Sequence, residues 1–522
     1  MDFLAILIPL FPLLAAAIIG LGHLFNQTNG EAGERTTSGI ANIAISLSCL
    51  LALGLLISDL LNKNVGHYIV GKWLSSDTLV IKLSFITTGF SVVVVALFSV
   101  LLVVITRFSI NYIHKEIGFH RFFFILSLFS SAMLLLVLSN NIVGTFIGWE
   151  IAGLCSYFLI SFAYDRPVAV INATRVFVTN RVGDAGFILG IGLTFFYVGT
   201  IDWSDLNTAV DRLTTSTATA IALCFVIAAF AKSVQLPFTP WLARAMEGPT
   251  PSSALFYGSV MVHAGVFLVI LLQPIIERAP FVMGLLVIVG LSTAIYSFIV
   301  GLTQTDVKSS ISFAISGQLG LMFLACGLGF WELASWHLCA HAIVRGYQVL
   351  TAPSLLHYVH GNPMKPVARG LAQLRWMYIA SLQRFWLDPI TDRVLVRPII
   401  GLGRDLDYFD SHFIDPAIGS PTSPNNAISS LAQLEQRIMV EHSSYDANEF
   451  GRGKGIAGKL FEWVARAMNW FEERLVLRGV GMEMVDIGRQ LGYAANTFEK
   501  LILKPRYLVL FVFVVLLSAS SI

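Results

Sequence analysis

The chain has 522 residues, of which 56% are hydrophobic and 13% charged, with a mean hydropathy of +0.74 and a formal net charge of +2. Those values exclude an ordinary soluble domain, and no basic run with interleaved aromatics suggests nucleic-acid binding. They fit an all-α, polytopic membrane protein, because a backbone in lipid must satisfy its own polar groups.

Taken in chain order, apolar runs long enough to cross a ~30 Å hydrocarbon core lie near 2–22, 38–61, 79–106, 121–139, 141–163, 183–199, 217–245, 252–272, 279–301, 309–328, 333–359 and 506–520, about twelve in all. No basic leader region precedes residues 2–22, which read as a retained helix. The loops at 107–120, 164–182, 242–251 and 302–308, and the tail after 360, carry Arg107, Lys115, Arg166, Arg244, Lys308 and many further basic residues. The opposite loops hold Asp202, Asp205, Asp211 and Glu277. The positive-inside bias therefore places the tail in the cytoplasm and the N-terminus outside, in an inner (plasma) membrane.

Three regions follow: a transmembrane bundle over 1–360, a polar region over 361–505 and an anchor helix over 506–522. Within the middle region, Phe461, Val464, Met468, Phe471 and Leu475 recur at helical spacing, which predicts an amphipathic helix, and residues 419–430 read as a linker. This region suits docking of a soluble partner. Its bland alternative is a brace lying along the bundle.

Ionisable side chains at membrane depth are expensive and usually line a hydrated path or face a bundle interior. Here they are Glu150, Lys232, His263, and Glu332, His337, His341 and Arg345 along "WELASWHLCAHAIVRG". His337, His341 and Arg345 follow at four-residue steps and share a helical face. Pro237 and Pro240 predict a helix break just after Lys232, freeing backbone groups that are tolerated where they are covered or hydrated. Taken singly, His263 reads equally well as a packing residue and the prolines as a simple kink. As a set, these residues read as a proton or sodium path. Cys49, Cys155, Cys224, Cys326 and Cys339 form no CxxC pair, and Cys339 sits about 200° around the helix from His337, so no metal, redox centre or other cofactor is expected in the chain. No catalytic motif is present in a soluble segment.

The blocks "GWEIAGLCSYFLISF", "FVTNRVGDAGF", "AKSVQLPFTPWLARAMEGPTPSSAL" and "QTDVKSSISFAISGQLGLMFLACG" strongly resemble the large antiporter-like subunit of respiratory complex I, the chain L or subunit 5 family, which is related to Mrp-type antiporters. The resemblance covers roughly 85–360 and implies a helical bundle with broken helices and a hydrophilic axis. It implies that Glu150 and Lys232 form an ion pair, that Arg181 and Asp184 lie on an "RVGD" turn, that Lys308 lies on the path with Asp306 supporting it, and that His337 and His341 are the paired histidines. The sequence also departs from the family. Tyr257 stands where the family has histidine, with His263 six residues on, and Arg345 stands for a lysine. Past His360 the second broken helix has no counterpart.

Shortened relatives occur in DAB-type inorganic-carbon accumulation systems, and that resemblance implies a cation-driven membrane subunit with a cytosolic zinc partner similar to β-carbonic anhydrases. The alternatives are a distal proton-pumping subunit of a complex I, Mrp or membrane-hydrogenase assembly, and a non-conducting structural subunit.

Overall fold

The computed structural model describes residues 2–25, 30–75, 80–304, 306–352 and 373–414. The chain divides into two compact units, Met1–Val396 and Arg397–Ile522. In the second, the described residues form a helix, Arg397–Phe409, that ends in a wider turn at Asp410–Ile414. The amphipathic pattern at 459–475, the linker and the anchor at 506–522 lie outside the described residues.

The first unit is a helical bundle. Its long elements are α1 (Leu7–Leu24), α2 (Gly30–Leu60), α3 (Phe90–Tyr112), α4 (Phe119–Leu138), α5 (Ile142–Ile160) and α6 (Pro167–Val198). A short α7 (Trp203–Ala209) precedes α8 (Thr215–Lys232), α9 (Pro240–Arg244), α10 (Thr250–Ser253), α11 (Ala264–Leu271) and α12 (Gln273–Glu277). The bundle continues with α13 (Pro280–Gly301), α14 (Val307–Gly327) and α15 (Trp331–Thr351). Ten stretches of described residues are helices long and apolar enough to cross a membrane. Of the dozen expected, the one at 506–520 is outside the described residues. Helix α15 is long enough at 21 residues, but its polar stripe keeps it out of the ten.

Three sequence expectations shift. The span expected from residue 79 starts at Phe90, because His67–Ser75 and Val80–Ile86 pair as an antiparallel hairpin, β1 and β2. The β-branched and aromatic residues of "HYIVGKWLS" and "VIKLSFI" favour pleated backbone, and Lys82 pairs with Asp202 at 2.9 Å beside the start of α7. The loop expected at 164–182 is the first half of the 32-residue α6, opened by Pro167 at its first position. Asn172, Arg175 and Arg181 reach Glu247, Asp392 and Glu150 on neighbouring elements, and a sequence pattern reads such polarity as loop. Consequently "RVGD" is no turn: Arg181 and Asp184 sit three residues apart inside α6.

The third shift concerns the run at 252–272. It is one transmembrane stretch, Thr250–Leu271, but its interior changes winding, from a π segment at Ala254–Ser259 to a 3-10 turn at Met261–His263. Two irregular segments thus lie side by side in the bundle. Gly265, at the start of α11, approaches α8 so closely that a Cβ there would collide with Ala229 O and Ser233 Oγ.

Candidate functional site

Helix α8 is capped at its start by Thr214, whose hydroxyl accepts from Thr217 N at 3.2 Å, and ends at Lys232. The break begins at Ser233, four residues ahead of Pro237, and Pro240 opens α9. Val234 is left-handed at φ 61°, an uncommon conformation for a β-branched residue. Neighbours take up the backbone groups that the break frees. Ser316 of α14 donates to Val234 O at 3.1 Å, Leu236 N donates to Thr293 Oγ1 of α13 at 3.0 Å, and Trp241 Nε1 donates to Ala231 O at 2.8 Å. Ser233 Oγ donates to Val262 O at 2.5 Å, tying this break to the irregular winding next to it.

Lys232 is 1% exposed. Its ammonium donates to Trp149 O at 3.1 Å and lies 5.0 Å from the centre of the Trp149 ring. Glu150 is ion-paired with Arg181, whose other terminal nitrogen is 2.8 Å from Asp184 Oδ2. Asp184 Oδ1 in turn accepts from Trp149 Nε1 at 2.5 Å. Arg181 Nη2 and Lys232 Nζ both lie within 3.1 Å of the point a Gly153 side chain would occupy, so two cations share one small space with two carboxylates. The Glu150–Lys232 pair expected from the family is therefore a four-member cluster, in which Arg181 holds Glu150 and Lys232 waits beside it.

The second group starts at His263. Its Nε2 is 2.8 Å from His341 Nδ1, and both residues are buried. Arg345 Nε donates to His341 Nε2 at 3.4 Å. Because guanidinium can only donate, Nε2 is the acceptor, which puts the hydrogen of neutral His341 on Nδ1 and directs it at His263. The rings of His337 and His341 are 6.0 Å apart, and His337 Nε2 meets Gln318 Oε1 at 2.9 Å.

Other expected residues take quieter places. Tyr257 lies in the π segment and donates to Ala245 O at 2.6 Å. Lys308 donates to Thr250 Oγ1 at 2.7 Å, and Tyr257 and Lys308 both line a small cavity with Met246, Ser253 and Ser312. Asp306 caps α14, accepting from Ser309 N at 2.8 Å, and Glu332 is exposed in the first turn of α15, away from both groups. Among the described residues, no cluster of His, Cys, Asp or Glu is arranged to hold a metal. Sequence reasoning missed Trp149, Gln235 and Gln318. The two glutamines carried a usable signal, being amides inside apolar runs. Among the described residues, Glu150 Oε1, in α5, and Gln235 Oε1 and Ser259 Oγ, in the two irregular segments, are buried with no hydrogen-bond partner.

Residues 139–382 match the family described as "NADH:quinone oxidoreductase/Mrp antiporter, TM". The chain carries a complex I/Mrp antiporter-like membrane domain. It is 34% identical over 365 residues to the NAD(P)H-quinone oxidoreductase chain 5 of Synechocystis, spanning 69% of this chain and 53% of that one. Chloroplastic subunit 5 of Nephroselmis olivacea is 37% identical over 360 residues, 67% of this chain and 55% of its own length. This chain thus spans about half the length of the relatives it matches. The antiporter-like fold also appears in the Mrp complex of Dietzia, with a TM-score of 0.58 at 19% identity over 98% of this chain and 62% of that one. An archaeal membrane-bound sulfane sulfur reductase gives the same TM-score at 17% identity, over 66% and 70% of the two chains.

Proposed function

We propose that this chain is a cation-translocating subunit, moving protons or sodium ions as part of a multi-subunit complex in the plasma membrane. The observation that carries the reading is Lys232, buried at the end of an interrupted helix against a Glu150–Arg181–Asp184 cluster. With Lys232 protonated the four groups sum to zero charge, and when it is neutral one carboxylate is uncompensated. In a low-dielectric interior that imbalance is large. A small movement of Arg181 between its two carboxylates therefore alters how well a proton on Lys232 is held. Glu150, Lys232, His263, His337 and His341 carry the cation in this reading, and Lys308 and Tyr257 stand at a side cavity. The unpartnered buried oxygens mark where water would complete the line.

The finer reading is that the cation flux energises inorganic-carbon uptake through a zinc-dependent cytosolic partner similar to β-carbonic anhydrases. It is supported by the sequence past His360, where the family's second broken helix has no counterpart and a long polar region follows. The alternative is a distal pumping subunit of a complex I, Mrp or hydrogenase-type assembly, for which the relatives' names speak.

The native complex reconstituted in vesicles tests the main reading. Lys232→Ala and Glu150→Ala should each abolish gradient-driven cation flux while the complex stays assembled. Flux at the wild-type level in either variant would remove the path. The soluble protein that copurifies, and whether it contains zinc, separates the finer reading from its alternative.

A further inference from the structure

Where α9 meets the surface of the first unit, residues 373–396 pack against it. Asp388 lies 3.3 Å from Arg244 of α9 and 3.4 Å from Arg384. Asp392 lies 3.2 Å from Arg175 of α6 and 3.8 Å from Arg244. All these side chains are at most about one-third exposed, so the pairs are only partly screened. Thr391 Oγ1 donates to Pro237 O at 3.4 Å, inside the helix break itself. Phe385 and Leu387 join Leu236 and Ala243 on a small apolar cluster of Tyr296, Val300 and Phe313, separate from the main core.

The backbone of this segment is held against its preference. Arg384, Phe385 and Trp386 are three consecutive non-glycine residues in the left-handed region, at φ 51°, 52° and 54°. Such a run persists only where surrounding contacts over-determine it. Here those contacts are the Phe385 ring on Tyr296, the Tyr296 hydroxyl donating to Arg384 O at 3.3 Å, and the aspartate pairs. These three residues lie just past residue 382, where the family match ends.

We propose that residues 384–396 form a strained ionic strap that fixes the far half of the interrupted helix, with Asp388 and Asp392 as positioning residues for cation transfer at Lys232. The mechanical link is short. The strap holds Arg244 at the end of α9, and Trp241 of α9 hydrogen-bonds Ala231 O, next to Lys232. Asp392 also ties α9 to α6, the helix that carries Arg181 and Asp184. Releasing the strap lets α9 and α6 drift, and the cluster around Lys232 loses its register. This inference rests on the reading of Lys232 as the transfer residue.

The test uses the full chain in its native complex, with two readouts. The first is cation flux for the combined Asp388→Asn and Asp392→Asn variant against the matching pair of Glu substitutions. Flux should fall about tenfold in the Asn variant, as expected when a reacting group is misplaced by a fraction of an ångström to an ångström, and stay near wild type in the Glu variant. The second is crosslinking by a short bismaleimide between cysteines placed at Ala243 and Leu387, which should drop several-fold in the Asn background. Undiminished flux or unchanged crosslinking in the Asn variant overturns the strap. Retained flux in Lys232→Ala overturns the transfer reading instead, and the crosslinking result then decides the strap by itself.

Discussion

Helices α13 and α14 and the neighbouring segments α8–α11 solve opposite problems within one bundle. The first pair is continuous and dry, and it packs backbone against backbone: a Cβ on Gly290 would stand 2.5 Å from Gly320 O, and one on Gly320 would stand 2.6 Å from Gly290 O. Each of these helices satisfies its own polar backbone, so the interface needs only small residues. The α8–α11 region gives up that self-sufficiency twice, at Ser233–Thr239 and at Ala254–His263. Its backbone must borrow partners, and it borrows Thr293 and Ser316 from the dry pair itself. The rigid pair is thus the scaffold that makes the irregular one tolerable, and irregular backbone is what lets Lys232 and His263 sit buried.

The sharpest way to break this contrast is to overpack the dry side. Gly320→Leu should prevent assembly, since backbone atoms within 3.0 Å leave no room and the cost is about 3 kcal/mol or more. The yield of monodisperse protein in detergent checks it, and normal yield would mean the pair is not the scaffold. On the irregular side the outcome should be different in kind. His341→Ala should leave the complex assembled while lowering flux about a hundredfold, the scale of one lost proton-transfer group, and Arg345→Lys should cost far less. The reverse ranking would make the histidine face structural.

Much of this irregular side was legible from the residues alone. Lys232, Glu150 and His263 stood out as ionisable groups in apolar runs, and Pro237 and Pro240 announced the break. What the sequence could not give was partnership. The resemblance pairs Glu150 with Lys232, whereas Arg181 intervenes, and it puts Arg181 on a turn; the apolar runs leave 164–182 as loop because a stretch with Arg175, Asn180 and Arg181 does not look like a span. The hairpin was hidden for the converse reason. "VIKLSFI" is apolar enough to be absorbed into the following helix, and only its pairing with "HYIVGKWLS" distinguishes it.

The borrowed partners offer a subtler test. Thr293→Val and Ser316→Ala each orphan one backbone group of the break and should cost about 1–3 kcal/mol apiece, read as a lower midpoint in thermal unfolding. Equal stability would mean that the break finds other partners. The smallest effect belongs to the hairpin. The hydrogen bond from Lys82 to Asp202 raises the lysine above its usual 10.5. A group raised on folding contributes stability below its unfolded value and loses it as pH climbs through the folded one. Attachment of the hairpin should therefore hold from neutral pH to about 10.5 and weaken as pH climbs above it, and Lys82→Met should loosen it at neutral pH while making no difference once the lysine has lost its proton. Hydrogen exchange at β2 measures both.

The orientation of the His341 ring has a consequence of its own. A chain of hydrogen bonds can pass a proton by hopping, but each passage leaves every link pointing the other way, and the next proton must wait until the links turn back. With Arg345 donating to its Nε2, His341 is pinned at one end of that turn. If the pair carries protons as proposed, the resetting step falls to the His263 ring, which sits in the 3-10 turn beside the break and not in a regular helix. On the proposed path, the link that must turn back thus sits at a change of winding, between the π segment and α11.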